Sequence, residues 1–185
     1  MRIFIAVELP SDVKNQIARM QAELKKVPAQ VSWTKAENVH LTLKFLGEIE
    51  EKQLQPVTQA ARAGCKGIKK FKISLKGVGG FPNLRQPRVI WIGTQNGAEE
   101  LISLQAKIDT ELDKAGFPKE EKKFRPHFTL GRVRVPKNIE KLAQALGSTE
   151  FQTADFDILH LNVMKSQLSP GGSIYTVLER IDLEN

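Results

Sequence analysis

Apolar positions recur along this chain at two spacings, one helical and one extended. Residues 2–8 are β-branched and apolar enough to read as a strand. Pro10-Ser11-Asp12 then looks like a helix start. Val13, Ile17, Met20 and Leu24 follow at three- and four-residue steps, so the spacing predicts a helix to about Lys26, ended by Pro28. Val31-Ser32-Trp33 reads as a short extended piece. Lys35–Asn38 turn the chain into a strand from His40 to Gly47. A second helix is expected over Glu50–Gly64, with Leu54, Val57 and Ala61 inward, and a strand over Phe71–Lys76. Gly77–Pro82 reads as a glycine-rich turn or bulge. Pro87–Gly93 is apolar enough for a central strand, with Trp91 in the core. A third helix spans about Gly97 to Gly116, on Leu101, Leu104, Ile108 and Leu112. After a charged loop come a strand from Pro126 to Val133 and a short helix from Pro136 to about Leu146. Two last strands, Phe151–Lys165 and Ile174–Ile181, are joined by a hairpin-like turn at Ser169–Ser173.

Two of these strands carry the same four-residue phrase. His40-Leu41-Thr42-Leu43 and His127-Phe128-Thr129-Leu130 both read His-apolar-Thr-apolar, 87 positions apart (127 minus 40). In a strand, residues two apart share a face. Each copy therefore presents an imidazole beside a hydroxyl, while Leu41, Leu43, Phe128 and Leu130 face the other way and can enter a core. With one copy per half, the order of elements is an approximate internal repeat. It is read as one α+β unit of two similar lobes, each bringing a His-Thr strand to a shared cleft.

Composition narrows the class. At 185 residues, with 41% hydrophobic and 26% charged, the chain suits one substantial core. No apolar run approaches a membrane span, the N-terminus lacks a signal-peptide layout, and a single cysteine excludes an internal disulfide. The expected location is the cytoplasm. Cys65 reads as a small packing residue. No heptad seam or interface stripe is visible, so a monomer with no protein partner is expected. The net charge of +7 suits an anionic partner such as RNA or a phosphate ester without naming one.

Two imidazoles across a cleft can serve as base and acid in one displacement at phosphorus, because both protonation states are accessible near neutral pH. Thr42, Thr129 and a cation would hold the non-bridging oxygens where charge builds. Arg125 and Arg132 are the candidate cations. On an unbroken strand Arg125 shares the His127 face and Arg132 does not, although a bulge at Gly131 would re-aim Arg132. Other chemistries lack residues: there are too few His and Cys for a zinc site, no G-x-S-x-G, and no Gly-Lys-Ser/Thr phosphate loop. His160 has Asn rather than Thr two places on and reads as structural.

The paired motifs resemble those of the two-histidine phosphoesterase superfamily, and within it the RNA 2′,3′-cyclic phosphodiesterases, also called 2′-5′ RNA ligases. Residues 2–10, His40 through Glu48, Phe81-Pro82 with Pro87–Gly93, and Arg125–Arg132 carry the likeness. The resemblance implies one bilobal domain over 1–185, with antiparallel sheets and outer helices around a central cleft. It implies hydrolysis of an RNA 2′,3′-cyclic phosphate end to a 2′-phosphomonoester without metal or cofactor, and possible reverse ligation to a 2′-5′ linkage. It also implies His40 as donor to the leaving 3′-oxygen, His127 as the base on water, and Thr42, Thr129 and Arg132 as phosphate ligands. Two other readings stand beside it. One is a non-catalytic RNA-binding module, the other a phosphodiesterase acting on a small cyclic nucleotide.

Overall fold

A computed structural model describes residues 1–185. In chain order its elements are β1 (Arg2–Glu8), α1 (Ser11–Leu24), β2 (Gln30–Trp33), β3 (His40–Glu48), α2 (Leu54–Cys65), β4 (Phe71–Ile73) and β5 (Leu75–Phe81). Then follow β6 (Val89–Thr94), α3 (Ala98–Lys114), β7 (His127–Val135), α4 (Ile139–Gly147), β8 (Phe156–Ile158), β9 (His160–Ser169) and β10 (Gly172–Asp182). Two four-stranded antiparallel sheets, ordered β10-β9-β1-β3 and β2-β7-β6-β5, carry the two motif strands, and β4-β8 is a separate pair. The α+β class and the four helices match the sequence expectation.

The lobes are not the two halves of the chain. One sheet joins β1 and β3 to the late strands β9 and β10. The other sets β7 between the early strands β2 and β6. Helices α2 and α3 pack together behind β10 and β3, while α1 and α4 lie behind the second sheet. One apolar cluster runs through both layers, and it includes Leu41, Leu43, Phe128 and Leu130 as the strand alternation requires. Cys65 belongs to it, and burial pushes its thiol up to about 11, so it is a packing residue. No helix is long and apolar enough to cross a membrane.

Three expectations are corrected. The glycine run Gly77–Phe81 is strand, not loop. Only Gly77, with φ of 78° beside a register shift, behaves as the expected bulge. Gly79 is glycine because a Cβ there would lie 2.3 Å from the Trp91 ring. Trp91 is accordingly not core. It pairs with Thr129, lies over Gly79 on the His127 side of the sheet, and packs against Phe81 at 5.1 Å. Finally, the long stretches 71–76 and 151–165 each divide, because β4 and β8 leave the main sheets to pair with one another.

One polar group crosses the core. Lys44 of β3 is buried, and its Nζ donates to Asp109 Oδ1 on α3 and to the Pro118 carbonyl, both at 2.6 Å. The other oxygen of Asp109 accepts the Glu120 N–H at 3.3 Å. A residue of the first motif strand thereby fastens the segment that leads into the second.

Candidate active site

The two motif strands are built alike down to their irregularities. In β3, Leu43 is passed over between the pairs Lys44↔Ile5 and Thr42↔Ala6. In β7, Leu130 is passed over between Gly131↔Ile90 and Thr129↔Trp91. An extra residue on one strand shifts the facing of all later residues by one position. Phe45 and Arg132, each five places after its histidine, consequently return to the His-Thr face, and both line the cleft. Gly131 is required at the second bulge, since a Cβ would meet Val31 Cγ1 at 2.9 Å and the Ser32 carbonyl at 3.1 Å. The bulge is braced from beneath by the buried Gln21 of α1. Its Nε2 donates to the Thr34 carbonyl at 2.8 Å and to the Leu130 carbonyl at 3.1 Å.

His40, Thr42, His127, Thr129 and Arg132 all line one cleft of about 300 Å³ between the sheets. Arg125 does not line it. It contributes its backbone instead: His127 Nδ1–H donates to the Arg125 carbonyl at 2.6 Å. Its counterpart 87 residues earlier does the same, with His40 Nδ1–H donating to the Asn38 carbonyl at 2.7 Å. A carbonyl only accepts, so both imidazoles carry hydrogen on Nδ1 and present Nε2 as the atom that gains or loses a proton. His40 Nε2 lies 3.0 Å from Thr42 Oγ1, which donates to it when the ring is neutral.

The two rings differ in their surroundings. Phe4 stacks on His40 at 4.9 Å, and Tyr175 meets it edge-on at 5.2 Å. His127 has one aromatic neighbour, Phe81, edge-on at 5.1 Å. Burial pushes His40 below the ordinary imidazole range. The Asn38 carbonyl and the Glu8 carboxylate oppose that shift, and Lys14 adds to it. Glu8 stands opposite His40 in the β1–β3 register and accepts a hydrogen bond from Asn162. His160 lies elsewhere, beside Leu159 in a hollow near the end of β1. No Asp or Glu lines the cleft, while Arg2 and Arg132 do. The lining is that of an anion site with two proton-transfer atoms and six hydroxyls, those of Thr42 and Thr129 beside the histidines. Phe4 and Tyr175 went unseen in the sequence because only long-range strand pairing brings them to His40. Gln21 was legible in part, one turn after Ile17 on the buried face of α1.

The repeat is also visible to comparison. The model of the LigT-like phosphoesterase family matches this chain twice, over residues 7–91 and again over 92–175. The chain belongs to the LigT-like phosphoesterases. A relative called RNA 2′,3′-cyclic phosphodiesterase, from Methanothermobacter thermautotrophicus, is 37% identical over 180 residues, or 97% of each protein. Among solved LigT-like folds, a Thermus thermophilus protein superposes with a TM-score of 0.81 at 27% identity, covering 99% of this chain and 98% of that one. The Escherichia coli LigT complex with 3′-AMP gives 0.78 at 26%, covering 100% and 98%. The two matched segments each contain one His-Thr strand, as expected for a LigT-like site assembled from a duplicated unit.

Proposed function

We propose that this chain, as a single bilobal unit, hydrolyses the 2′,3′-cyclic phosphate at an RNA 3′ end to a 2′-phosphomonoester. The observation that carries this is the placement of both His-Thr pairs on one acid-free cleft, each histidine offering Nε2. Family membership and the relative's name point to the same reaction. His127 Nε2 takes a proton from water as the oxygen attacks phosphorus. His40 Nε2–H gives its proton to the 3′-oxygen as the P–O3′ bond breaks. Thr42, Thr129 and Arg132 hold the non-bridging oxygens. One proton enters His127 and one leaves His40, so exchange with solvent resets the pair. With an RNA 5′-hydroxyl in place of water as the nucleophile, the same steps in the same direction form a 2′-5′ linkage, P–O3′ again being the bond that breaks. The intact pairs weigh against a non-catalytic RNA-binding module.

The test is an RNA oligonucleotide ending in a 2′,3′-cyclic phosphate, incubated in excess EDTA, with the products resolved. The expected product is the 2′-phosphate. A 3′-phosphate would reverse the assignment of the broken bond, and activity that returned only with added metal would remove the two-histidine mechanism.

The pH profile tests the role of His40. A donor must be protonated, so activity falls as pH rises through its pKa. Burial lowers that pKa, so the alkaline limb of kcat/KM is expected below the ordinary value of 6.5. Glu8 opposes the shift. Glu8→Gln should therefore move the limb to still lower pH, whereas a limb that stayed put or rose would contradict the assignment.

A further inference from the structure

The cleft is open at one end. A groove of about 630 Å³ continues from it past Arg132, Ser173 and Tyr175, which line both. One wall is β2, the two residues after it and the far end of β7, bringing Trp33, Lys35 and Arg134. The other is the turn of the β9–β10 hairpin with Leu168. No Asp or Glu lines this groove either. Ion pairs engage eight of the 28 basic side chains, among them Lys26–Glu23, Lys72–Asp157 and Lys114–Glu111. Lys35, Arg132 and Arg134, like most of the basic side chains, take part in no ion pair, so their charge in the acid-free groove is uncompensated. Arg134 is nonetheless fixed in direction: its Nη2 donates to Ser32 Oγ at 3.1 Å, which lays the guanidinium along β2.

Placement adds to charge. Arg132 and Arg134 are two apart on β7 and both line the groove, with the β2–β7 register shift falling at Arg134. Across the groove, Leu168 is 78% exposed, an apolar surface without a partner in the fold, and Trp33 is half-buried opposite it. A positive track flanked by flat or apolar side chains is how single-stranded nucleic acid is held without sequence preference.

We propose that this groove is a second subsite, taking the sugar-phosphate backbone of the nucleotides 5′ to the cyclic phosphate. Arg132 lies at the junction. Lys35 and Arg134 meet the phosphates farther back, and Trp33 and Leu168 meet bases. A single-stranded RNA end, rather than a cyclic mononucleotide, is then the preferred substrate. This rests on the hydrolytic reading of the cleft.

The test compares kcat/KM for an RNA tetranucleotide ending in a 2′,3′-cyclic phosphate with that for a nucleoside 2′,3′-cyclic phosphate. The wild-type ratio is expected to exceed ten, and Lys35→Gln/Arg134→Gln should lower it about tenfold. A second readout needs no turnover. Binding of a fluorescent tetranucleotide carrying a 2′-phosphate should lose about 1.4 from the slope of log K against log salt in the double variant, two single-strand phosphate contacts at roughly 0.7 each. A wild-type ratio near one, or an unchanged ratio and slope in the variant, overturns the groove and leaves the hydrolysis standing. Absence of turnover on both substrates overturns the hydrolytic reading, and the salt slope then decides the groove by itself.

Discussion

Replacing either His40 or His127 with alanine is expected to lower kcat/KM on a cyclic-phosphate RNA end by about 10²–10⁴-fold, the usual worth of a positioned acid or base. The double variant should lose little more than the worse single one, because the two groups act in one displacement. Thermal unfolding should separate chemistry from folding. His127 touches one aromatic ring and is half-buried, so His127→Ala should unfold close to wild type. His40 is held by Phe4 and Tyr175 and will cost more packing. The roles can be told apart with a bridging 3′-sulfur. A thiolate leaves without needing a proton donor, its conjugate acid having a pKa of about 8.5. That substrate should rescue His40→Ala and not His127→Ala. Rescue of the opposite variant would exchange acid and base, and near-wild-type turnover in either single variant would end the two-histidine mechanism.

The second large effect is on stability. Asp109→Ala should destabilise the protein by about 3–5 kcal/mol, because it leaves the buried Lys44 ammonium only the Pro118 carbonyl and the half-exposed Glu120 carboxylate 3.8 Å away. Both side chains are little exposed, at 4% for Lys44 and 11% for Asp109, so water replaces the lost partner poorly. Against a total stability of roughly 5–15 kcal/mol the change is readily seen in urea unfolding. Lys44→Met/Asp109→Leu removes both charges and should recover most of the loss. If Asp109→Ala costs under about 1 kcal/mol, the pair is solvated in solution. The charge pair also ties β3 to the segment before β7, so partial loss of activity in variants that remain folded is expected.

Sequence legibility followed the range of the interactions involved. The His-Thr faces were plain, because alternation along one strand needs no partner. The aim of Arg132 was legible only as a condition on Gly131, and the bulge there fulfils it. From sequence alone Gly77–Pro82 reads as a turn or bulge, because glycine signals turns. Its real cause is the Trp91 ring on the neighbouring strand, invisible without the pairing. Hydrophobicity alone places Trp91 in the core, and it does not say on which side of a sheet a ring lies. The membership of each sheet was hidden for the same reason, since β1 finds β9 about 160 positions away. Lys44 in the core reads as an ordinary outward strand residue until Asp109 is placed beside it.

The exchange of strands between the halves bears on how the chain is made. Once β1 and β3 have paired, the free edge of β1 waits for β9, which begins more than 110 residues later. At about 5–20 residues per second, a ribosome takes on the order of 5–25 s to supply it. Throughout that interval an apolar strand offers open hydrogen-bonding groups to any other nascent chain. Tyr175, on the last strand, closes the His40 pocket only after both sheets have their full membership. The nascent chain therefore acquires its first imidazole site last, and premature termination between β7 and β10 leaves both motifs synthesised and the pocket unfinished.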